Sequence, residues 1–186
     1  ALKIMLTPDT QAAYLAILKE ELIPATGCTE PIAVAYCAAK LRDVLGAKPE
    51  KIFAEVSGNI LKNVKSVVVP NTGGMKGVKA AICAGIVAGQ ADKQLQVISS
   101  VPEALHKEIA AYCHQTPIVI SCPETPRMLD IRLTGYLEDR SAVVHIANHH
   151  SNIIYIEKNG QVLFEKQLVD SPEDGPVSYT HLTLPT

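Results

Sequence analysis

The sequence predicts an α+β fold, and three observations predict it. Residues 1–90 carry apolar side chains mostly at helical spacing, interrupted by one alternating stretch at 51–57. Residues 95–121 read as strand, helix and strand. From 129 to 167 four short alternating runs follow one another, with Asn159-Gly160 between the last two as a hairpin signal. A helix among strands, then strands in succession, suits a mostly antiparallel sheet. The expected organisation is a mainly helical unit over 1–90 with a short strand pair, a small, mostly antiparallel α+β unit over 91–170, and a linker and tail over 171–186.

Thr7-Pro8 opens the first expected helix as N-cap and first helical position, and Pro24 ends it. A second, alanine-rich helix opens near Thr29 to Pro31 and runs to about Gly46. After the 51–57 strand come a polar stretch, Gly58-Asn59-Ile60-Leu61-Lys62-Asn63, and a β-branched run at 67–69. Pro70-Asn71-Thr72-Gly73-Gly74 reads as a tight loop before a third helix over 76–89. Gly77, Gly85 and Gly89 cost that helix stability. Their expected use is close backbone approach to a neighbour outside this chain. Strands are expected at 95–99, 117–121, 129–137, 142–147, 153–157 and 162–167, with an amphipathic helix over 102–114.

Of the 186 residues 47% are apolar, enough for a sizeable core, but aromatics are 4% and Trp is absent. The core must rest on Ala, Val, Leu and Ile. A net charge of −2 gives no reason to expect nucleic-acid or anionic-membrane binding. No apolar run is long enough to span a bilayer, and no basic-then-hydrophobic leader is legible, so the expected location is cytoplasmic. The five cysteines, Cys28, Cys37, Cys83, Cys113 and Cys122, are odd in number, and no pair has metal-knuckle spacing. They read as reduced thiols, mostly buried, and no metal site is expected within the chain. The uncharged run from Val177 to Leu182 resembles a translated sequencing adapter, so the natural protein is expected to continue beyond about Gly175.

Four segments concentrate polar residues that a fold alone would not need. Pro24-Ala25-Thr26-Gly27-Cys28-Thr29-Glu30-Pro31 sets a thiol at a helix N-terminus, where the thiolate is favoured. Cys28 could there be a nucleophile, a base or a metal ligand, while Glu30 opposes thiolate formation and favours the helix start. Asn59, Lys62 and Asn63 combine an ammonium with two amides, which suits a carboxylate-bearing small molecule. The Thr72-Gly73-Gly74 turn could offer backbone N–H groups to an anion. His145 with Asn148-His149-His150-Ser151-Asn152 is the fourth, with His150 and Asn152 its stronger candidates. Neighbouring strand residues point to opposite faces, so His149 and His150 would rarely share one ion.

In this order the segments resemble the L-cysteine desulfidases, iron–sulfur lyases related to bacterial iron–sulfur L-serine dehydratases. The resemblance rests on Gly27-Cys28-Thr29-Glu30-Pro31, Val56-Ser57-Gly58-Asn59 with Lys62-Asn63, Val69-Pro70-Asn71-Thr72-Gly73, and His150-Ser151-Asn152-Ile153 with Ile156-Glu157. It implies that the helical unit is the N-terminal part of a split catalytic domain. It implies cleavage of L-cysteine to hydrogen sulfide, ammonia and pyruvate without pyridoxal phosphate, using a [4Fe–4S] cluster whose cysteine ligands lie outside this fragment. Cys28 matches the base, with Glu30 beside it, and Asn59, Lys62, Asn63, Thr72, His150 and Asn152 would hold the substrate. The fragment itself is then expected to be inactive. Alternatives are a serine or threonine dehydratase of the same mechanism, or a non-catalytic amino-acid-binding module at 92–170. The expected partner is a small amino-acid substrate, and a homo-oligomer is left open.

Overall fold

The computed structural model describes residues 29–168. It has an α+β fold with helices α1 (Thr29–Leu45), α2 (Gly58–Val64), α3 (Val78–Ala88) and α4 (Ala104–Gln115). The strands are β1 (Lys51–Val56), β2 (Ile118–Ser121), β3 (Asp130–Leu137), β4 (Arg140–Ala147), β5 (Ile153–Lys158) and β6 (Gln161–Glu165). The helix expected over 7–23 and the tail from 171 lie outside the described residues.

All six strands form one sheet in the order β2-β1-β3-β4-β5-β6. β1 and β2 pair in parallel and every other pair is antiparallel. Alternation decides the faces. Ile52, Ala54 and Val56 of β1, Ile131 and Leu133 of β3, and Ala142, Val144 and Ile146 of β4 are buried. α1 lies on that side, against β3, β4 and β5, with α3 stacked on α1 and α4 on α3. The opposite face carries Phe53, Glu55, Arg132, His145 and Tyr155, and no described helix packs there.

α1 and α3 run side by side in the same direction. A Cβ on Gly85 would fall 2.1 Å from the Ala35 carbonyl oxygen, and one on Gly89 2.7 Å from the Ala39 Cβ. The glycines thus serve close approach, and the neighbour is α1 of the same chain rather than something outside it. Arg42 fixes the far end by donating to the carbonyls of Ile86 (3.1 Å) and Gly89 (2.8 Å). A guanidinium there satisfies α3's last acceptors and opposes its negative dipole end. α4 has the same sense: His106 stands against Gly73, before α3, while Cys113 lies against Cys83 within it.

Three expectations change. The 95–99 strand is instead two 3₁₀ turns over Ala91–Gln96, kinked at Gln94 (φ 50°), and Gln90 N–H donates to Val97 O (2.9 Å). Leu95, Val97 and Ile98 are buried from those turns without joining the sheet. The run at 67–69 makes only an isolated bridge, Val68 to Lys76, so β1 has no strand partner from the first 90 residues. Its partners are β2 and β3, and residues from both sides of position 91 share one sheet and one apolar core.

Candidate functional site

The chain turns at Gly46 after α1, so β1 runs back against it. The C-terminal end of β1 therefore lies at the end of the molecule where α1 begins. β2 is parallel to β1 and finishes at the same end. Asp130 pairs with Ala147 there, which puts the turn at 148–152 alongside. With α1, α3 and α4 in one direction, three helix N-termini meet the carboxyl ends of β1, β2 and β4 at one pole. Open sheets hold ligands at such strand ends, and helix N-termini favour anions.

The pole is tied together from below. Ser57 is buried; its N–H donates to Asp130 O (2.9 Å) and its hydroxyl to Met128 O (2.7 Å). This fixes where β1 passes into α2. Ile60 and Val64 turn inward from α2, while Lys62 is exposed and the Asn63 amide donates to Asn59 Oδ1 at 3.5 Å. The polar stretch after β1 is thus a short helix with its amides and ammonium outward. In the next loop Asn71 (φ 59°) donates to Ile98 O at 2.8 Å. Thr72 is 2% exposed and its hydroxyl donates to Val69 O (2.7 Å). Its hydroxyl braces the loop, and Asn71, Gly73 and Gly74 are the exposed members.

At 148–152, Asn148 N–H donates to Leu129 O (3.0 Å), and the Asn152 amide donates to Ala147 O (2.8 Å). The other end of Asn152 accepts from Lys166 Nζ (2.7 Å). Burial lowers the pKa of that ammonium. Lys166 was invisible as a site residue because only the β5–β6 hairpin brings it back to the pole. His150 is half-buried in the same turn. Glu30 occupies the first turn of α1, and Cys28 lies outside the described residues. The structure therefore brings the α2 residues, the 70–74 loop, the 148–152 turn and Glu30 to one end, with the Thr72 hydroxyl and the Asn152 amide held in fixed internal bonds.

The described cysteines do not form a cluster site. Cys37 is in the core, its thiol donating to Val144 O at 3.4 Å, and burial pushes it well above the usual thiol range. Cys83 is buried beside Cys113 and is pushed up for the same reason. Cys122 is exposed near Gly58, whose added Cβ would lie 3.8 Å from its sulfur. Among the described residues no three His, Cys, Asp or Glu side chains converge to hold a metal ion. These donors do not fit an iron–sulfur cluster. No described helix is long and apolar enough to cross a membrane.

Comparison of the sequence with known proteins finds relatives. The chain is 52% identical over 151 residues to a UPF0597 protein of Desulfitobacterium hafniense, covering 81% of the chain and 35% of that protein. Its relatives are UPF0597 proteins. One from Treponema denticola is 47% identical over 153 residues, covering 82% of the chain and 36% of the relative. One from Actinobacillus pleuropneumoniae is 36% identical over 174 residues, covering 94% and 40%. The chain thus spans 35–40% of these UPF0597 proteins. The name assigns no activity and does not carry the desulfidase likeness. No family model matches the chain, and no solved structure matches it.

Proposed function

We propose that the pole binds the carboxylate of a small amino acid, and that the complete protein is a lyase cleaving L-cysteine to hydrogen sulfide, ammonia and pyruvate. One observation carries the reading: three helix N-termini, Lys62 and Lys166 gather at the end that also holds the exposed Asn71-Gly73-Gly74 loop and the 148–152 turn. Positive dipole ends and two ammonium groups suit an anion, and the amides of Asn59 and Asn63 suit polar recognition beside it. In the reaction a base takes the Cα proton, the electron pair forms the Cα–Cβ double bond, and the Cβ–S bond breaks to release hydrosulfide. Water then converts aminoacrylate to pyruvate and ammonia. Cys28, one residue before α1 in sequence, is the proposed base, with Glu30 two residues on, and His150 and Asn152 of the β4–β5 turn would approach the substrate from the other side. The described thiols do not fit a cluster, so no step is assigned to one.

The test is turnover by the full-length protein under anaerobic conditions, with L-cysteine and L-serine supplied separately. Equal sulfide and pyruvate from L-cysteine, reduced about 10²-fold or more by Cys28→Ala, is the expected result. Pyruvate from L-serine alone would reassign it as a dehydratase. Turnover of neither substrate would end the lyase reading, and a Cys28→Ala enzyme within about tenfold of the parent would remove that thiol as base. A free-standing binding module at 92–170 gains nothing from the fold, because β1 lies between β2 and β3 and such a piece would lack it.

A further inference from the structure

The sheet face on which no described helix packs carries a polar row that the pole does not use. Register aligns Ser121, Glu55, Arg132, His145, Tyr155 and Glu165 across all six strands. At its centre His145 Nε2 lies 2.6 Å from Asp130 Oδ1. Asp130 Oδ2 is 3.5 Å from Arg127 Nη1. An ionised carboxylate only accepts, so the neutral ring carries its hydrogen on Nε2 and leaves Nδ1 as an acceptor. Among the described residues Nδ1 has no hydrogen-bond partner.

Arg132 stands directly opposite His145 on β3. Its Nε is 3.6 Å from Glu55, and its guanidinium lies 5.3 Å from the centroid of the Tyr155 ring. The cation–π contact holds the guanidinium against the Tyr155 ring. The ion pair engages Nε, and the two terminal nitrogens make no hydrogen bond among the described residues. An open two-pronged donor thus sits beside an open, carboxylate-oriented imidazole nitrogen. The side chains are 37% exposed for Arg132 and 14% for His145, so a small molecule reaches the fork first.

We infer that Arg132 and His145 form a second site, for a small carboxylate with a hydrogen-bond donor on the adjacent carbon. The carboxylate takes the terminal nitrogens of Arg132 in bidentate fashion, and the hydroxyl or amine donates to Nδ1 of His145. Asp130 is a positioning residue that acts through the imidazole. Glu55 sets the limit on affinity, because its charge faces the same guanidinium.

The test follows the His145 imidazole signals of the full chain by NMR while glycolate or acetate is added. Glycolate should move them saturably and bind about tenfold more tightly than acetate, which lacks the hydroxyl. Arg132→Gln should weaken glycolate about tenfold or more, and Arg132→Lys, which keeps the charge and the stem, should weaken it less. Asp130→Asn should erase the preference for glycolate while acetate still binds, a change that mere loss of packing would not produce. Lys62→Gln should have no effect. Unmoved His145 signals, equal binding in Arg132→Gln, or loss of binding in Lys62→Gln would each overturn the site. Because Lys62 belongs to the pole, failure here and failure of the lyase reading are distinguishable.

Discussion

At the scale of single residues, burial decides the chemistry of the thiols. The sequence marks most of the cysteines as buried thiols, and Cys37 and Cys83 are both fully buried. What the sequence could not show is the Val144 carbonyl that accepts from Cys37, 107 positions away. Both thiols are pushed well above the ordinary value of 9.0, and burial pushes the Tyr112 phenol above 10.0. The folded chain therefore keeps protons that the unfolded chain releases once pH passes about 9. Stability from these groups is fully present below that pH and falls as pH rises toward the folded values. The urea midpoint should be flat from about pH 7 to 8 and decline above about pH 9, and Cys37→Ala should make the decline shallower. A midpoint that rises with alkaline pH would contradict the burial argument. In the native protein iodoacetamide should modify Cys122 well before Cys37 or Cys83, as read by peptide mapping.

At the scale of elements, the contact between α1 and α3 is the tightest in the fold. Gly85→Ala places a methyl on the Ala35 carbonyl, backbone against backbone, and the helices must separate. The expected cost is roughly 3 kcal/mol or more, read from denaturant unfolding. Arg42→Met keeps the apolar stem but leaves α3's last carbonyls unpaired, with an expected loss of about 2 kcal/mol. A change under about 0.5 kcal/mol in either variant would mean that the helices do not meet in this way. Strands 51–56 and 130–158 were legible because their alternation survives in the sequence. The segment at 95–99 misled because three apolar residues can be buried from successive 3₁₀ turns as well as from a strand. The α2 helix is hidden by its opening glycine and two asparagines, weak helix formers that read in sequence as a polar stretch.

At the scale of the whole molecule, topology joins segments that sequence order only suggests. The four polar segments were legible one by one, but the meeting of Glu30, the α2 residues, the 70–74 loop and the 148–152 turn depends on β1 being inserted between β2 and β3 and on three helices sharing one direction. No local pattern encodes either fact. The fold also separates open groups in these segments from braced ones: Lys62 is exposed, whereas the Thr72 hydroxyl is spent on Val69. Backbone amide NMR of the full chain during titration with L-serine tests this arrangement most directly. The expected result is saturable shifts at the starts of α1, α3 and α4, residues 59–63, 71–74 and 148–152, weakened about tenfold in Lys62→Gln, while any shifts around Arg132 and His145 are left in place by that substitution. The absence of saturable shifts at the pole, or pole shifts unchanged by loss of the Lys62 charge, would contradict the pole as the place where this protein holds its substrate.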